Sequence, residues 1–330
     1  MNIRLISTGG TILSQMGGRG LAPTGDAGDA ADEMRSRFPS HSFSLDTVMS
    51  LDSSNIQPEH WQEIADAVYR SYEGSDGFII LHGTDTMAYT SSALSFMLRN
   101  LGKAVTLTGS QIPLEDPRSD GWLNLAVAVA AVEGGINGVT VSFCNKIISG
   151  VRAVKASADG IDAFISAGAP PLATVTAFGL RAEGGWRPPF DPDSPLSFER
   201  GVCPDVFLIK MTPGLKPEIF DALLGIGYKG IVVEAFGAGG MHSEGRDAAA
   251  GVARAASSGV PVVVRSQCLY GATDLSVYEV GRRLLDAGAI PAGGMTAEAT
   301  VAKLMWALAK TADVGEIERM FQTNYAGEML

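Results

Sequence analysis

The chain has 330 residues, of which 46% are hydrophobic and 18% charged, and its formal net charge at pH 7 is −11. This apolar content suffices for one or two buried cores and excludes disorder as the main state. The acidic balance disfavours nucleic acid and anionic membranes as partners, because their phosphates carry charge of the same sign. The three cysteines show no CxxC or Cys/His spacing, so neither a disulfide framework nor a structural zinc site is predicted.

No targeting or membrane-spanning segment is predicted. The opening stretch MNIRLISTGGT lacks a long apolar core and a small-residue cleavage site, so we interpret it as a first strand. The longest apolar run, Leu123–Val132, is about half of the ~20 residues that a membrane span needs. The expectation is a cytoplasmic α/β protein without a membrane partner.

Short β-branched runs alternate with helical patterns along the first half of the chain. Buried parallel strands are predicted at Ile3–Ser7, Gly77–Leu81, Ala104–Thr108 and Gly138–Phe143. Helices are predicted at Pro58–Tyr72, Met87–Asn100 and Asp120–Gly134. The alternation indicates a mainly parallel sheet flanked by helices. Between the first strand and the first helix, Gly17–His41 is rich in small and polar residues and is predicted to be a lid or binding loop.

A second α/β domain follows a break in this pattern. The stretch Arg181–Gly201 contains four prolines and no apolar period, which indicates a linker. Beyond it we predict strands at Val206–Lys210, Gly230–Ala235 and Val260–Arg265, and helices at Glu218–Leu224, Asp247–Ser257, Ser276–Asp286 and Ala297–Thr311. The predicted organisation is an N-terminal catalytic α/β domain (1–185), a linker (186–202) and a smaller C-terminal α/β domain (203–330).

The first polar cluster is Thr8–Ile12 (TGGTI), directly after the first strand. In parallel α/β sheets, the segments that follow the strands line the ligand crevice. A hydroxyl beside bare backbone N–H groups offers a nucleophile and half of an oxyanion hole, which acyl transfer needs. The alternative is a tight Gly-Gly turn with a capping threonine. A nucleotide-binding loop is not indicated at this cluster, because residues 8–12 and their neighbours do not match the GxGxxG or Gly-Lys-Ser/Thr pattern.

Three further clusters carry polar groups that suit amide chemistry. His82–Thr86 (HGTDT) follows a predicted strand and offers a hydroxyl and a carboxylate, or it only caps the next helix. Its histidine could act as a base, but a histidine at a strand end more often belongs to the packing. Lys155 lies among small residues, where desolvation favours the neutral amine, or it is a surface lysine. Ser53 and Ser54 could bind a carboxylate or act as N-caps.

Together the motifs resemble the bacterial-type L-asparaginases, most closely the cytoplasmic type I branch. The blocks that carry the resemblance are TGGTI (8–12), DSS (52–54), HGTDTMAYT (82–90), TGSQIP (108–113), RSDG (118–121), KASADG (155–160), QC (267–268) and MTAEAT (295–300). They extend over nearly the whole chain, and the pairing of the first block with HGTDT is highly specific. The resemblance implies two α/β domains and conversion of L-asparagine to L-aspartate and ammonia.

The resemblance also implies a role for each matching residue. Thr11 would be the nucleophile that forms a β-aspartyl ester, and Lys155 would be a base whose proton transfer Thr84 relays. Asp85 would orient that lysine and bind the substrate ammonium. The remaining implied contacts are the oxyanion donors Gly10 and Thr84, the α-carboxylate ligands Ser53 and Ser54, and the Ser110 carbonyl for the departing amide nitrogen. No metal or organic cofactor is implied, and the partner is a second copy of the chain, in a homo-oligomer of two or four subunits.

One position departs from the family pattern. Family members carry a tyrosine on a mobile lid that helps to activate the nucleophile, whereas the matching stretch Arg19–Pro23 (RGLAP) has Leu21 there. Another group would then activate the nucleophile, or Lys155 and Thr84 would act through water, or the activity would be low. Tyr270 and Tyr325 are the candidates for such a group, and the sequence alone does not place them near Thr11. Some type I members bind asparagine at a second site, and Gln267 and Cys268 lie in the corresponding C-terminal region. We interpret that cysteine as a buried small residue.

Three alternative functions remain open. A glutaminase-asparaginase differs by the room for one methylene, worth only ~1–3 kcal/mol, which motifs do not reveal. The asparaginase-like component of the archaeal tRNA-dependent amidotransferase has additional sequence before its TGGTI block, whereas this block lies within the first twelve residues here. The chain's acidity also disfavours tRNA. A non-catalytic amino-acid sensor would keep the pocket without turnover.

Overall fold

The computed structural model describes residues 1–18, 20–22, 25–183, 189–191 and 193–329. They form two compact units, Met1–Arg200 and Gly201–Leu330. The first contains a large mixed sheet with helices, and the second contains a separate four-stranded parallel sheet. The predicted fold class, two α/β domains, is thereby confirmed.

The first unit is organised around one eight-stranded sheet among its described residues. Its strands are β1 (Asn2–Gly9), β2 (Gln15–Gly17), β3 (Gly20–Ala22), β4 (Ser42–Leu51), β5 (Gly77–Leu81), β6 (Leu98–Arg99), β7 (Ala104–Thr108), β8 (Gly138–Phe143), β9 (Lys146–Ser149), β10 (Ala153–Lys155), β11 (Phe164–Ser166), β12 (Ala173–Thr176), β13 (Gly179–Ala182) and β14 (Ser197–Phe198). The sheet order is β13-β12-β9-β8-β7-β5-β1-β4. All four strands predicted for this half are present.

The sheet is less uniform than the sequence pattern indicated. The neighbouring strands β4, β1, β5, β7 and β8 run parallel, whereas β9, β12 and β13 form an antiparallel edge that the sequence pattern did not indicate. Strand β4 was also not predicted, because most of its residues are only partly buried. In contrast, every residue of β5 and β7 is buried, as expected for central strands covered on both faces.

The helices of the first unit are α1 (Ala27–Arg37), α2 (Pro58–Ser71), α3 (Met87–Met97) and α4 (Gly121–Glu133), and 3₁₀ turns occupy Thr11–Leu13 and Ser53–Asn55. Helix α2 begins at its proline as predicted. The prediction Met87–Asn100 is too long, because Leu98 and Arg99 form β6, which pairs with β14. Asn100 then adopts a positive φ of 59°, which ends the helical path.

The segment Gly17–His41 is not the irregular loop that its composition indicated. It contains β3 and helix α1, whose N-terminus is capped by Asp26 accepting from the Gly28 N–H at 2.8 Å. Ala27, Ala30 and Met34 recur at helical spacing and are buried, so small residues form the apolar stripe. Because the helix occupies much of the segment, the β2–β3 hairpin before it is the part to which the lid prediction still applies. Within this stretch, residues 19, 23 and 24 lie outside the described part.

The linker prediction, 186–202, falls partly outside the described residues, at 186–188 and 192. Its described residues up to Arg200 belong to the first unit. The Asn100 amide donates to the carbonyls of Asp191 and Ser194 at 2.9 and 2.6 Å, and β14 pairs with β6. The domain boundaries 1–185 and 203–330 stay a proposal.

The second unit contains β15 (Val206–Lys210), β16 (Gly230–Ala235), β17 (Val262–Ser266) and β18 (Ala289–Pro291), with α5 (Ile219–Ile226), α6 (Ala248–Ser257), α7 (Glu279–Asp286), α8 (Ala297–Leu308) and α9 (Val314–Phe321). Its strands are parallel in the order β15-β16-β17-β18. Every element predicted here is present within a few residues, whereas β18 and α9 were not predicted. Among all the helices that the structure describes, none combines the length and the apolar character that crossing a bilayer requires.

Candidate active site

The polar clusters meet at the carboxyl ends of the parallel strands of the first sheet. Strands β7, β5, β1 and β4 are neighbours and run parallel, so the loops after them lie side by side. Backbone bonds join these loops: the Gly10 N–H donates to the Leu51 carbonyl at 2.9 Å, and the His82 N–H donates to the Thr108 carbonyl at 2.8 Å. Open α/β sheets bind ligands in the crevice outside the carboxyl ends of their strands.

Two glycines bring three of these loops into direct contact. A Cβ on Gly10, which has φ of 86°, would lie 2.3 Å from the Gly83 nitrogen. A Cβ on Gly83 would lie 2.6 Å from the Ser53 Oγ. Only glycine fits such close approaches, so these positions fix the spacing of the loops.

Thr11 begins a 3₁₀ turn and is half-buried. The next two residues, Ile12 and Leu13, are buried and hold the turn on the core. Among the described residues, the Thr11 hydroxyl forms no hydrogen bond with Thr84 or Lys155. The structure therefore places this threonine next to the Gly10–Gly83 contact without assigning its base.

Three predicted residues form one hydrogen-bonded group. Lys155, at the end of β10, donates from Nζ to the Thr84 Oγ1 at 2.8 Å and to the Asp85 Oδ1 at 2.6 Å. Thr84 is buried, whereas the Asp85 side chain is 60% exposed. One carboxylate thus neutralises the lysine while remaining accessible to a ligand.

Gln111 completes this group, and no role was predicted for it from the sequence. Its Oε1 accepts from the Thr84 hydroxyl at 3.1 Å, and its Nε2 donates to the carbonyls of Ala158 and Gly160, both at 3.3 Å. The Thr84 hydroxyl therefore accepts from Lys155 and donates to this amide. The TGSQIP block was quoted for the family resemblance, and its glutamine follows strand β7, which is the signal that could have identified it.

The two serines differ in their surroundings. Ser53 is buried; its Oγ accepts from the Asp85 N–H at 3.2 Å, and its carbonyl accepts from the Thr86 hydroxyl at 2.7 Å. Ser54 is exposed, and its hydroxyl and N–H donate to Asp52 at 2.5 and 2.9 Å. These two bonds, the hydroxyl first, hold the pKa of the Asp52 carboxyl below its ordinary value.

Gly10 does not match its expected role as an oxyanion donor. Its N–H already donates to Leu51, and its carbonyl accepts from the Leu13 N–H and the Ser14 hydroxyl. Within the part of the chain that the structure describes, the Thr84 N–H donates to no acceptor. Of the two expected donors, Thr84 is therefore the one left open.

Ser110 is buried, and in the described structure its Oγ has no hydrogen-bond partner. The loop that carries it is held by Asp120, whose carboxylate accepts from the N–H groups of Gln111 and Ile112, each at 3.0 Å. Asn124 joins this network by donating to Asp120 at 3.0 Å. Asp120 belongs to the RSDG block, but its structural role was not anticipated.

His82 is fully buried, and both of its ring nitrogens are engaged. Nδ1 lies 2.6 Å from the Gly83 carbonyl oxygen, and Nε2 lies 2.9 Å from the Thr90 hydroxyl. Burial lowers the pKa of this imidazole to about 4, against 6.5 ordinarily. A ring so occupied is unsuited to be the base for Thr11, in agreement with the packing interpretation.

The groups named as replacements for the lid tyrosine lie in the second unit. Tyr270 is 67% exposed, and the Tyr325 ring packs edge-on against Trp306, with centroids 5.0 Å apart. Leu21 belongs to β3, which pairs with β2, and its side chain lies outside the described part.

The interpretation of Cys268 as a buried small residue is wrong. Its side chain is exposed, because the chain leaves the sheet after β17. Gln267, beside it, donates to the carbonyls of Met211 and Glu234 at 2.6 and 2.9 Å. Gln267 thus connects the ends of adjacent strands.

The described residues contain no group of three or more His, Cys, Asp or Glu side chains that could hold a metal ion.

Comparison with known proteins shows the same family over both units. The family model described as "Asparaginase, N-terminal" matches residues 2–184, and "Glutaminase/Asparaginase C-terminal domain" matches residues 205–321. An L-asparaginase of Thermococcus kodakarensis is 41% identical, with 100% of this chain and 99% of that protein covered. One component of the glutamyl-tRNA(Gln) amidotransferase of Aeropyrum pernix is 39% identical, with 99% and 79% covered. The crystal structure of L-asparaginase I from Vibrio cholerae superposes with a TM-score of 0.90 at 35% identity, covering 100% and 99%.

Proposed function

From the premise that the chain belongs to the asparaginase family, we propose that it hydrolyses L-asparagine to L-aspartate and ammonia through a threonine-linked acyl-enzyme. The observation that carries the proposal is the contact of Lys155 with Thr84 and Asp85, beside the loop that bears Thr11. Amide hydrolysis through an acyl-enzyme requires a nucleophile and a proton-transfer group close to each other.

In the first step, the Thr11 Oγ1 attacks the side-chain amide carbon, and its proton is delivered to the nitrogen that leaves as ammonia. The negative charge that develops on the carbonyl oxygen is held by the Thr84 N–H, which has no internal acceptor among the described residues. The Ser110 carbonyl accepts from the departing amide nitrogen. The product of this step is a β-aspartyl ester of the threonine.

In the second step, water hydrolyses this ester. Lys155 acts as the base, Thr84 relays the proton or positions the water, and Asp85 keeps the lysine in place. The existing bonds support this assignment, because the Thr84 hydroxyl lies 2.8 Å from the amine nitrogen. Aspartate leaves, and the threonine hydroxyl is restored.

The accessible charges suit a free amino acid. The exposed Asp85 carboxylate pairs with the substrate ammonium, and Ser53 and Ser54 bind the α-carboxylate. Ser54 now donates to Asp52, so carboxylate binding requires that its hydroxyl exchange acceptors. Asp52 therefore competes with the substrate for this donor.

The test compares the wild type with Thr11→Ala and Thr11→Ser, by ammonia release from L-asparagine and L-glutamine side by side. We expect the alanine variant to lose at least about 10³-fold in kcat, as nucleophile removal does elsewhere, and the serine variant to keep part of it. Full activity of Thr11→Ala would refute the nucleophile. Equal rates on both substrates would favour the glutaminase-asparaginase alternative. Saturable asparagine binding without ammonia release would favour the sensor.

Assembly and location are part of the same proposal. We propose a homo-oligomer of two or four subunits, on the basis of the family, and light scattering of the purified protein measures its mass. We likewise propose a cytoplasmic location, which cell fractionation tests. A monomer at micromolar concentration, or recovery in the secreted fraction, would contradict the respective statement.

A further inference from the structure

The proposed reaction gives His82 no chemical step, yet its position is closely constrained. It follows β5 directly and is completely buried. Its N–H donates to the Thr108 carbonyl, and a Cβ on Gly109 would lie only 2.2 Å from the His82 carbonyl oxygen. The backbone N–H and the carbonyl of His82 are therefore both in close contact with the neighbouring loop, which fixes the direction in which the imidazole leaves the backbone.

The two ring contacts determine the tautomer. The Gly83 carbonyl can only accept, so Nδ1 carries the hydrogen in the 2.6 Å contact. Nε2 is then unprotonated and accepts from the Thr90 hydroxyl at 2.9 Å. A neutral ring satisfies both contacts, and burial, which lowers the pKa to about 4, keeps the ring neutral near pH 7.

We propose that His82 is a positioning residue that holds the Gly83 carbonyl and thereby aims the Thr84 N–H at the oxyanion. The carbonyl and the N–H belong to one planar trans peptide, in which they point in opposite directions. Fixing one of them therefore fixes the other. The inference rests on the proposed function, because only an acyl-transfer reaction gives this N–H an oxyanion to bind.

The peptide needs such a support because of the glycine before it. A side chain at Gly83 is excluded by the Ser53 Oγ, 2.6 Å from a Cβ there. Glycine has wide backbone freedom, so the peptide plane after it is easily rotated. The Thr84 N–H also lacks an acceptor of its own among the described residues, so no bond at that end restrains the plane. The imidazole supplies the restraint from the carbonyl end.

Two substitutions separate the two ring nitrogens. The amide nitrogen of asparagine occupies nearly the position of Nδ1, and that of glutamine nearly the position of Nε2. We expect His82→Gln to lower kcat by about 10²-fold, as loss of an oxyanion donor does, with little change in KM. His82→Asn keeps a donor for the Gly83 carbonyl and is expected to retain kcat within about tenfold of the wild type.

Thr90→Val is the matched control, because it removes the partner of Nε2 and leaves the Nδ1 contact intact. It is expected to lower the melting temperature but to keep the wild-type kcat per folded molecule. If His82 were only packing, the glutamine variant would lose stability and keep kcat per folded molecule, which would overturn the proposal. An asparagine variant that is folded and as inactive as the glutamine variant would also overturn it.

A measurement on the wild type does not depend on folding of the variants. The ¹⁵N shifts of the His82 imidazole report the tautomer, and we expect a protonated Nδ1 and an unprotonated Nε2 near pH 7. The opposite tautomer would refute the inference. Absence of ammonia release by the wild type would instead refute the proposed function, and the tautomer would still show whether His82 holds the carbonyl.

Discussion

Replacement of Lys155 by methionine tests the proposed proton-transfer group separately from stability. Methionine is close to lysine in length but has no amine, so the bonds to Thr84 and Asp85 are both lost. The Thr84 hydroxyl keeps Gln111 as an acceptor, and the exposed Asp85 carboxylate is free to be hydrated. Neither of the two former partners of the lysine is thus left buried without a hydrogen bond.

The expected cost in stability is therefore small and the expected cost in rate large. An ion pair whose acid is 60% exposed contributes at most about 1 kcal/mol to the free energy of unfolding. Loss of a positioned general base lowers the rate by about 10²–10⁴-fold. We expect kcat for Lys155→Met to fall within that range, while the urea midpoint moves little.

The first unit contains a close control. Lys146 pairs with Asp162 at 2.5 Å, and the side chains are 19% and 60% exposed, against 18% and 60% for the Lys155 pair. Lys146→Met should match Lys155→Met in its effect on the urea midpoint and leave ammonia release unchanged. The reasoning is refuted if Lys155→Met keeps kcat within about threefold, or if both variants lose activity alike.

Three further changes have expected outcomes that rest on close contacts or on buried groups. Because the folded pKa of His82 lies below 6.5, the unfolded chain takes up the proton first, so stability is complete above about pH 6.5 and falls by about 3 kcal/mol towards pH 4. Urea melts at both pH values should show this loss in the wild type and not in His82→Asn. Gly83→Ala places a Cβ 2.6 Å from the Ser53 Oγ and should cost about 1–3 kcal/mol while raising KM for asparagine; an unchanged KM would contradict the contact. Lys303→Met removes the cation that faces the fully buried Glu328 and leaves its carboxylate with backbone N–H donors such as those of Tyr325 and Ala326, so it should destabilise the protein by about 3–5 kcal/mol in urea; replacing both residues with apolar ones should cost less.

The central parallel strands were predictable because burial on both faces leaves continuous β-branched runs. Strand β4 at one edge and β12 and β13 at the other are less buried, so their sequences lack that signal, and the buried part of β9 is only three residues long. Helix α1 was missed for a related reason. Its buried positions are mostly alanines. They are only weakly apolar and also occur on exposed faces and in loops, so their helical spacing does not stand out in the sequence.

At the site, the sequence indicated which polar clusters belong together but not how their hydrogen bonds run. Lys155 and Thr84 are 71 positions apart, and only the family resemblance predicted their contact. The occupied N–H of Gly10 and the bridging amide of Gln111 depend on which backbone groups meet in space. Such pairing depends on loop geometry, which residue type and spacing do not encode.

The motif glycines and the motif hydroxyls are two parts of one arrangement. A glycine followed by a hydroxyl residue ends three adjacent strands, at Gly10–Thr11, Gly83–Thr84 and Gly109–Ser110. At each glycine a Cβ would lie 2.2–2.6 Å from an atom of a neighbouring strand-end loop. Because the glycines let these loops approach, the residues after them are gathered within one small region. Substituting a motif glycine should therefore impair the chemistry by separating the hydroxyls, even though a glycine has no side chain to react.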